Sequence, residues 1–379
     1  MLADNRMVKN LEKVVIKIGT ATLSSLDEKE AINIGLIEKL ASVITELKKA
    51  GHKIVLVTSG AVALGVKRIG LSKKPKTIVG KQVAAATGQP LLMQTYEESF
   101  SKFNIPIAQI LLTREGFAQR EIYINAREAM LEMFDTGILP IINENDAVAS
   151  EEIRFGDNDM LSALVSDLIS ADRLIILTDE EGLYDSNPKE NKNAKLVSLV
   201  EKITPEIEAM AGSAGSEFSL GGMTSKIQAA KLATSQGIKV HIIYGQVPGK
   251  ILDLLNEKSC GTTFLPQGNK VDKRKSWIAH TLITCGKIYV DFGAQKAILT
   301  NGKSLLPAGI KKVSGNFERG SSVEICLIDS HTSFAKGITN YGKAELEKII
   351  GLKSSDIEHA LGYTYGETVI HRDDLAILQ

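Results

Sequence analysis

The sequence predicts an α/β protein, an α/β/α sandwich with a mainly parallel sheet, followed by a small, mostly β unit. Three observations support this fold class. Over the first two-thirds of the 379 residues, short apolar runs alternate with longer helical patterns. The apolar runs are continuous, which is typical of strands buried on both faces of a parallel sheet. After Pro266 the chain changes to short strand-like pieces separated by glycines.

Six strands are predicted in the first part, with helices between them. The strand-like runs are residues 14–19, 53–60, 107–112, 138–143, 172–179 and 240–245. Residues 34–51 and 225–237 carry apolar side chains at three- and four-residue spacing and end in glycine, which predicts helices. Because ligands bind at the carboxyl ends of parallel strands, polar residues at those ends are candidate site residues.

Changes in composition and sequence pattern along the chain predict three segments. Residues 1–265 form the α/β domain, and the polar, basic residues 266–278 form a linker. Residues 279–379 form the mostly β domain and its carboxyl-terminal extension, with one helix predicted at residues 343–351.

Composition excludes several classes of protein. Lys and Arg number 45 and Asp and Glu number 45, so net charge favours neither nucleic acid nor membrane as a partner. The three cysteines are far apart and form no CxxC pair, which excludes a disulfide framework and a zinc ribbon. The first residues lack the apolar core of a signal peptide, and no apolar run approaches the length of a membrane span. The sequence therefore predicts a cytoplasmic protein.

Several common catalytic motifs are absent from the sequence. It contains no GxxxxGK[ST], GxGxxG, HExxH or GxSxG pattern. The six histidines are scattered without ligand spacing, so we expect them to be structural or exposed. Metal, nucleophilic cysteine and serine-triad chemistry are therefore disfavoured.

Two strand ends in the first half carry informative polar residues. Lys17 interrupts an apolar strand, and burying a cation costs several kcal/mol unless an anion meets it. A lysine that snorkels from a strand edge is the alternative. Ser59 follows the next apolar strand and precedes a helix of small residues, so its hydroxyl and nearby N–H groups can meet a polar ligand. An ordinary helix cap is the alternative there.

An acidic segment follows the fourth predicted strand. Six carboxylates crowd into sixteen residues: Glu144, Asp146, Glu151, Glu152, Asp157 and Asp159. Such a loop repels itself unless it binds cations, ammonium groups or metal–phosphate. Asn143, Asn145 and Asn158 add amides suited to a zwitterion. A solvated acidic loop is the alternative.

A glycine pair precedes the last predicted helix of this domain. Gly221 and Gly222 lead into it, and Lys226 lies in its first turn. Free N–H groups and the helix dipole favour an anion there, whereas a cation is unfavourable unless it serves that anion. The pattern predicts a phosphate pocket, with a flexible hinge as the alternative.

Together these clusters indicate phosphoryl transfer. That reaction needs positioning and neutralisation of charge, and two lysines from different strand ends supply the charge without a P-loop. A carboxylate acceptor, with a pKa of about 4.3, is already ionised at neutral pH and needs no general base. The lack of a candidate catalytic histidine fits this reaction.

The order of motifs resembles the glutamate 5-kinase family. The similar stretches run from Lys13 to Asp374: VVIKIGT, IVLVTSGAV, LLTR, INENDAV, GDNDMLSALV, ILTDEEGLY, GGMTSK and YGETVIHRDD. The resemblance implies the amino acid kinase α/β/α sandwich followed by a PUA-like domain. It also implies ATP-dependent phosphorylation of the side-chain carboxylate of L-glutamate, the first step of proline biosynthesis, with Mg²⁺ accompanying ATP. It further implies feedback inhibition by proline and a homo-oligomer.

The resemblance also implies roles for individual residues. Lys17 and Lys226 match a phosphate-stabilising pair, and Asp159 matches the carboxylate that holds them. Four residues match or adjoin the glutamate-binding positions: Ser59, Asp146, Asn158 and Asp157. The nucleotide-binding positions are Lys17, Thr178, Asp179, Leu220, Gly221, Gly222, Met223, Thr224, Ser225 and Lys226. Leu220 stands where threonine is common in the family. The resemblance therefore implies that this residue contacts the nucleotide through its backbone and not through its side chain. No residue is predicted to bind a metal directly.

Two other functions are weighed against this one. A kinase of the same superfamily acting on aspartate, acetylglutamate, carbamate or a nucleotide would keep the lysines and glycines but need another acceptor loop than NENDAV. An RNA-binding protein is suggested by the PUA-like tail. From Pro266 onward, however, 15 Lys and Arg face 12 Asp and Glu, a net charge of only +3, without a basic stripe.

Overall fold

The computed structural model describes residues 11–25, 30–113, 116–117, 119–148, 158–188, 190–212, 222–267, 284–328 and 332–378. The chain divides into two compact units, Met1–Gln267 and Gly268–Gln379.

The described part of the first unit alternates strands and helices. Its strands are β1 (Lys13–Ile18), β2 (Lys53–Thr58), β3 (Ile107–Leu112), β4 (Leu139–Glu144), β5 (Arg173–Thr178), β6 (Leu199–Val200), β7 (Lys239–Tyr244) and β8 (Thr262–Phe264). Its helices are α1 (Thr20–Leu23), α2 (Ile34–Lys49), α3 (Ala61–Arg68), α4 (Ile78–Ser101), α5 (Arg120–Asp135), α6 (Asn158–Leu168), α7 (Pro205–Gly212), α8 (Met223–Ser235) and α9 (Lys250–Leu255).

The strands form one sheet in the order β3-β4-β2-β1-β5-β7-β8-β6. Every pairing is parallel except that of β7 with β8. Both faces of the central strands are buried: Val15 and Val55 belong to one apolar core, whereas Val14 and Ile54 belong to the other. The predicted parallel sandwich and its six strands are confirmed, and the predicted helices at residues 34–51 and 225–237 correspond to α2 and α8.

Helices α3 and α4 pack with their backbones in close contact. A Cβ atom at Gly65 would lie 1.7 Å from the carbonyl oxygen of Ala84, and one at Gly88 would lie 1.8 Å from that of Ala61. Both distances are far below van der Waals contact, so only glycine fits at these two crossing positions. The contact fixes α4 against the helix that follows β2.

His241 is a buried histidine of β7 and has a structural environment. Its side chain is 2% exposed, and its Nδ1 atom shares a hydrogen bond of 3.0 Å with Thr263 Oγ1. Burial, helped by the positive charges of Arg173 and Lys239, lowers the pKa of His241 to about 3. The imidazole is therefore neutral in the folded protein at neutral pH.

The described part of the second unit contains a five-stranded sheet in the order β10-β9-β11-β12-β13. Its strands are β9 (Gly286–Val290), β10 (Ile310–Gly315), β11 (Ser322–Leu327), β12 (Ser333–Ile338) and β13 (Leu375–Ile377). The predicted single helix is an underestimate, because α10 (Phe292–Asn301) and α12 (Ile357–Leu361) join α11 (Lys343–Ile349). The Asp291 side chain accepts a hydrogen bond of 2.9 Å from the Ala294 N–H and so caps α10.

None of the helices that the structure describes combines the length and the apolar character that crossing a membrane requires.

Candidate active site

The predicted site residues that the structure describes lie along the carboxyl-terminal edge of the first sheet. Strands β4, β2, β1 and β5 are neighbours and run parallel, so their carboxyl ends meet at the same edge. Ser59 follows β2, Asp146 follows β4, and Asp179 follows β5. Lys17 is the second-last residue of β1. Helices α6 and α8 begin at this edge and pack against each other. The topology therefore brings residues more than 200 positions apart into one cluster.

The centre of the cluster is a buried carboxylate held by two lysines. Asp159 is fully buried, and Lys17 and Lys226 are 3% and 5% exposed. Lys17 Nζ forms an ion pair with Asp159 Oδ1, and Lys226 Nζ lies 3.2 Å from Oδ2. The Ser225 hydroxyl donates a further hydrogen bond of 2.9 Å to Oδ2.

Electrostatics make this cluster suited to an anion. Burial tends to raise the pKa of Asp159, but the charges of Lys17 and Lys226 outweigh it and lower that pKa below its usual value. The carboxylate is therefore ionised, and the three side chains together carry one net positive charge in a buried place. Two ammonium groups beside a single carboxylate attract a negatively charged ligand.

The residues beside Asp159 form an amide cluster. The two N–H bonds of Asn158 Nδ2 are shared among three acceptors: the Thr58 carbonyl oxygen at 2.5 Å, Ser59 Oγ at 2.9 Å and Asn143 Oδ1 at 2.8 Å. Two of the predicted acceptor-binding residues, Ser59 and Asn158, are thus in direct contact. Since Asn158 and Asp159 are the first two residues of α6, one helix start supplies both the amide and the carboxylate.

Asp146 lies in the turn after β4 and lines a cleft of about 240 Å³. Gln89 of α4 and Gln109 of β3 line the same cleft, beside Asn145. Neither glutamine is among the residues predicted from the sequence. Gln109 carried a usable signal, because it interrupts an apolar strand as Lys17 does.

Among the described residues predicted to bind the nucleotide, Thr178 and Asp179 lie at the end of β5, on the side of β1 away from β2. Thr178 ends β5 and donates a hydrogen bond of 3.1 Å from its hydroxyl to Asp179 Oδ1. Gly222 is the residue before α8, and Met223 begins that helix. The Thr224 hydroxyl donates to the Ala211 carbonyl oxygen at 3.1 Å, so this side chain is engaged within the protein.

Three predicted site residues, Asp157, Leu220 and Gly221, lie outside the described residues, as do Glu151 and Glu152 of the acidic segment.

Two family models match this chain. The model of the amino acid kinase family matches residues 12–244, and that of the PUA domain matches residues 286–361. The glutamate 5-kinase of Pelobacter propionicus is 44% identical over 372 residues, which cover 98% of this chain and 99% of the relative. The glutamate 5-kinase of Moorella thermoacetica is 47% identical over 366 residues, which cover 97% of this chain and 96% of the relative.

Among solved structures, carbamate kinase from Giardia lamblia bound to AMP-PNP is 19% identical, with a TM-score of 0.49. The match covers 68% of this chain and 100% of that chain. The two family matches and the near-full-length relatives show that this chain is a kinase of the amino acid kinase family and belongs, with its PUA domain, to the glutamate 5-kinases.

Proposed function

We propose that this chain transfers the γ-phosphoryl group of ATP to the side-chain carboxylate of L-glutamate, giving L-glutamyl 5-phosphate and ADP, as the first step of proline biosynthesis. The observation that carries the proposal is the helix start at Asn158 and Asp159. It joins the buried pair of lysines to the amide cluster at Ser59. Positive charge for a phosphoryl group and hydrogen-bonding groups for an acceptor are therefore adjacent.

The chemistry needs no general base from the protein. An oxygen of the ionised acceptor carboxylate forms a bond to the γ-phosphorus. The bond from that phosphorus to the β,γ-bridging oxygen breaks, and ADP leaves with the electron pair. Lys17 and Lys226 stabilise the charge on the transferring group, and Asp159 holds both ammonium groups in place. Because the lysines are fixed before the substrates bind, little reorganisation accompanies the transfer.

We assign acceptor binding to the amide side of the cluster. Ser59, Asn158 and Asp157 would hold the acceptor, and Asp146 would pair with its α-ammonium group, since a free cation needs a fixed carboxylate.

The nucleotide would lie on the opposite side, against Thr178, Asp179 and the start of α8. Residues of this side are Leu220, Gly221, Gly222, Met223, Thr224 and Ser225. The free N–H groups at the start of α8 suit the phosphates. With the Thr224 hydroxyl engaged by Ala211, that residue would contribute through its backbone.

Magnesium fits this site as a partner of the nucleotide. Within the described ranges, no group of three or more His, Cys, Asp or Glu side chains is arranged to hold a metal ion. Mg²⁺ is commonly bound through substrate phosphates with only one or two carboxylates. When bound, the ion would neutralise charge on the β- and γ-phosphate oxygens.

An acceptor screen tests the function. The full chain is incubated with ATP and glutamate, aspartate, acetylglutamate or carbamate, and the acyl phosphate is trapped with hydroxylamine while ADP release is measured. We expect glutamate to give hydroxamate and ADP in equal amounts, with the other acceptors far slower. Turnover of another acceptor in preference to glutamate would contradict the assignment. Inhibition by L-proline can be measured in the same assay, and the homo-oligomer by light scattering; both stay predictions.

A further inference from the structure

Four side-chain amides form a continuous hydrogen-bonded chain from the middle of the sheet to its edge. Asn158 Nδ2 donates to Asn143 Oδ1 at 2.8 Å, and Asn143 Nδ2 donates to Gln89 Oε1 at 2.9 Å. Gln89 Nε2 then donates to Gln109 Oε1 at 3.1 Å. The first three residues are buried, whereas Gln109 is exposed on β3, the edge strand.

Two backbone groups fix the direction of this chain. The Thr58 carbonyl oxygen can only accept, so the Asn158 group that faces it at 2.5 Å must be the NH₂. The Glu144 backbone N–H can only donate, so the Asn143 atom that faces it at 2.9 Å must be the oxygen. Each later amide then has one possible orientation, because a donor must meet an acceptor at every link. The last free group of the chain is therefore the NH₂ of Gln109.

That NH₂ group lies where a ligand could use it. The described residues offer no hydrogen-bond partner to Gln109 Nε2, and its side chain lines the cleft beside Asp146. The cleft thus presents carboxylates, which attract an ammonium group, and an amide NH₂, which donates to a carboxylate. This combination matches the ammonium and carboxylate on the α-carbon of an amino acid.

The order of the strands decides which carboxylate of the acceptor Gln109 would meet. The reacting side-chain carboxylate must lie near Lys17 on β1, in the middle of the sheet. Gln109 lies on β3, three strands away at the edge. An acceptor that lies along the cleft therefore turns its α-carbon toward β3.

We propose that Gln109 binds the α-carboxylate of the acceptor amino acid and that Gln89 is the positioning residue that holds the Gln109 amide in the donating orientation. This inference rests on the proposed glutamate kinase activity. It adds a determinant of acceptor specificity on the edge strand.

The test compares two acceptors, L-glutamate and L-isoglutamine, in which the α-carboxylate is a neutral amide and the side-chain carboxylate is unchanged. Gln109→Leu should raise the KM for glutamate about tenfold or more, because a hydrogen bond to a charged group is lost. The KM for isoglutamine should change less than about threefold, and that for ATP should stay constant. Gln89→Met should likewise raise the KM for glutamate relative to the KM for isoglutamine.

Two further variants make the result decisive. Gln94→Leu is the matched control, since Gln94 is exposed on the same helix as Gln89 and donates to Glu98; it should change neither KM. Gln109→Glu places a negative charge at the cleft and should raise the glutamate KM further than Gln109→Leu. An unchanged glutamate KM, or an equal rise for both acceptors, would overturn the inference. Failure of the wild-type chain to phosphorylate glutamate would instead overturn the proposed function.

Discussion

Replacement of Lys226 by methionine separates catalysis from folding at the buried cluster. Methionine has a similar length but no charge, so Lys226→Met removes one positive charge from a group that carries a net charge of one. A single well-placed charge donor is worth about 3–4 kcal/mol in the transition state, which corresponds to a loss of 10²–10³ in kcat. We expect that loss with little change in the KM for glutamate.

Folding should be nearly unaffected by the same change. Asp159 keeps its ion pair with Lys17 and the hydrogen bond from Ser225, so no buried charge is left without a partner. The free energy of unfolding should therefore change by less than about 1 kcal/mol, whereas removing a sole partner typically costs about 3–5 kcal/mol.

The assay is steady-state hydroxamate formation at saturating ATP and glutamate, with thermal melting of the same samples. Lys231→Met is the matched control, because Lys231 lies on the same helix with a side chain that is 60% exposed and pairs with Glu208. The control should keep its kcat. A Lys226→Met protein that retains more than a tenth of the wild-type kcat would remove Lys226 from the mechanism.

Three further predictions concern the acceptor, pH and the domain boundary. Asp146→Ala should raise the glutamate KM strongly and leave the ATP KM within a few-fold; an equal rise in both would assign the loop to the nucleotide. In the folded chain His241 stays neutral down to a pH of about 3, whereas in the unfolded chain it binds a proton below a pH of about 6.5. The free energy of unfolding therefore decreases as the pH is lowered from about 6.5 to about 3. His241→Asn should lessen that fall by up to about 1.4 kcal/mol per pH unit in urea unfolding, and an unchanged slope would refute the pKa. A chain ending at Gln267 should fold and phosphorylate glutamate; a soluble, cooperatively melting but inactive product would place an essential group in the second unit.

The sheet could be predicted because each main strand is a short apolar run that the local sequence shows directly. Residues 14–18 and 54–58 are apolar except for Lys17 and Thr58, and the structure buries every one of them. The long helix α4 gave no such signal, because Pro90 lies inside it and small residues such as Ala84 and Gly88 dilute its apolar face. One face of α4 packs its small residues against α3 and therefore lacks the large apolar side chains that mark a buried helix face. The sequence pattern alone does not show that such a neighbouring helix exists.

The site could be predicted in its components but not in its connections. Lys17, Ser59 and Lys226 stand at strand ends or a helix start, where chemistry is expected. The pairing of Asn143 with Gln89, 54 residues away, depends on the packing of α4 over the sheet. Polar residues that meet only through tertiary structure carry no spacing that a single sequence displays.

The contact between α3 and α4 limits how this enzyme could be redesigned. Gly88 precedes Gln89 and has no room for a side chain, so even alanine there would push α4 away from α3. A library meant to change acceptor preference should therefore vary cleft positions such as Ala85 and Ala86 while holding Gly65 and Gly88 constant. Without that restriction, many variants in the library would be inactive because α4 is displaced, and not because their acceptor preference has changed.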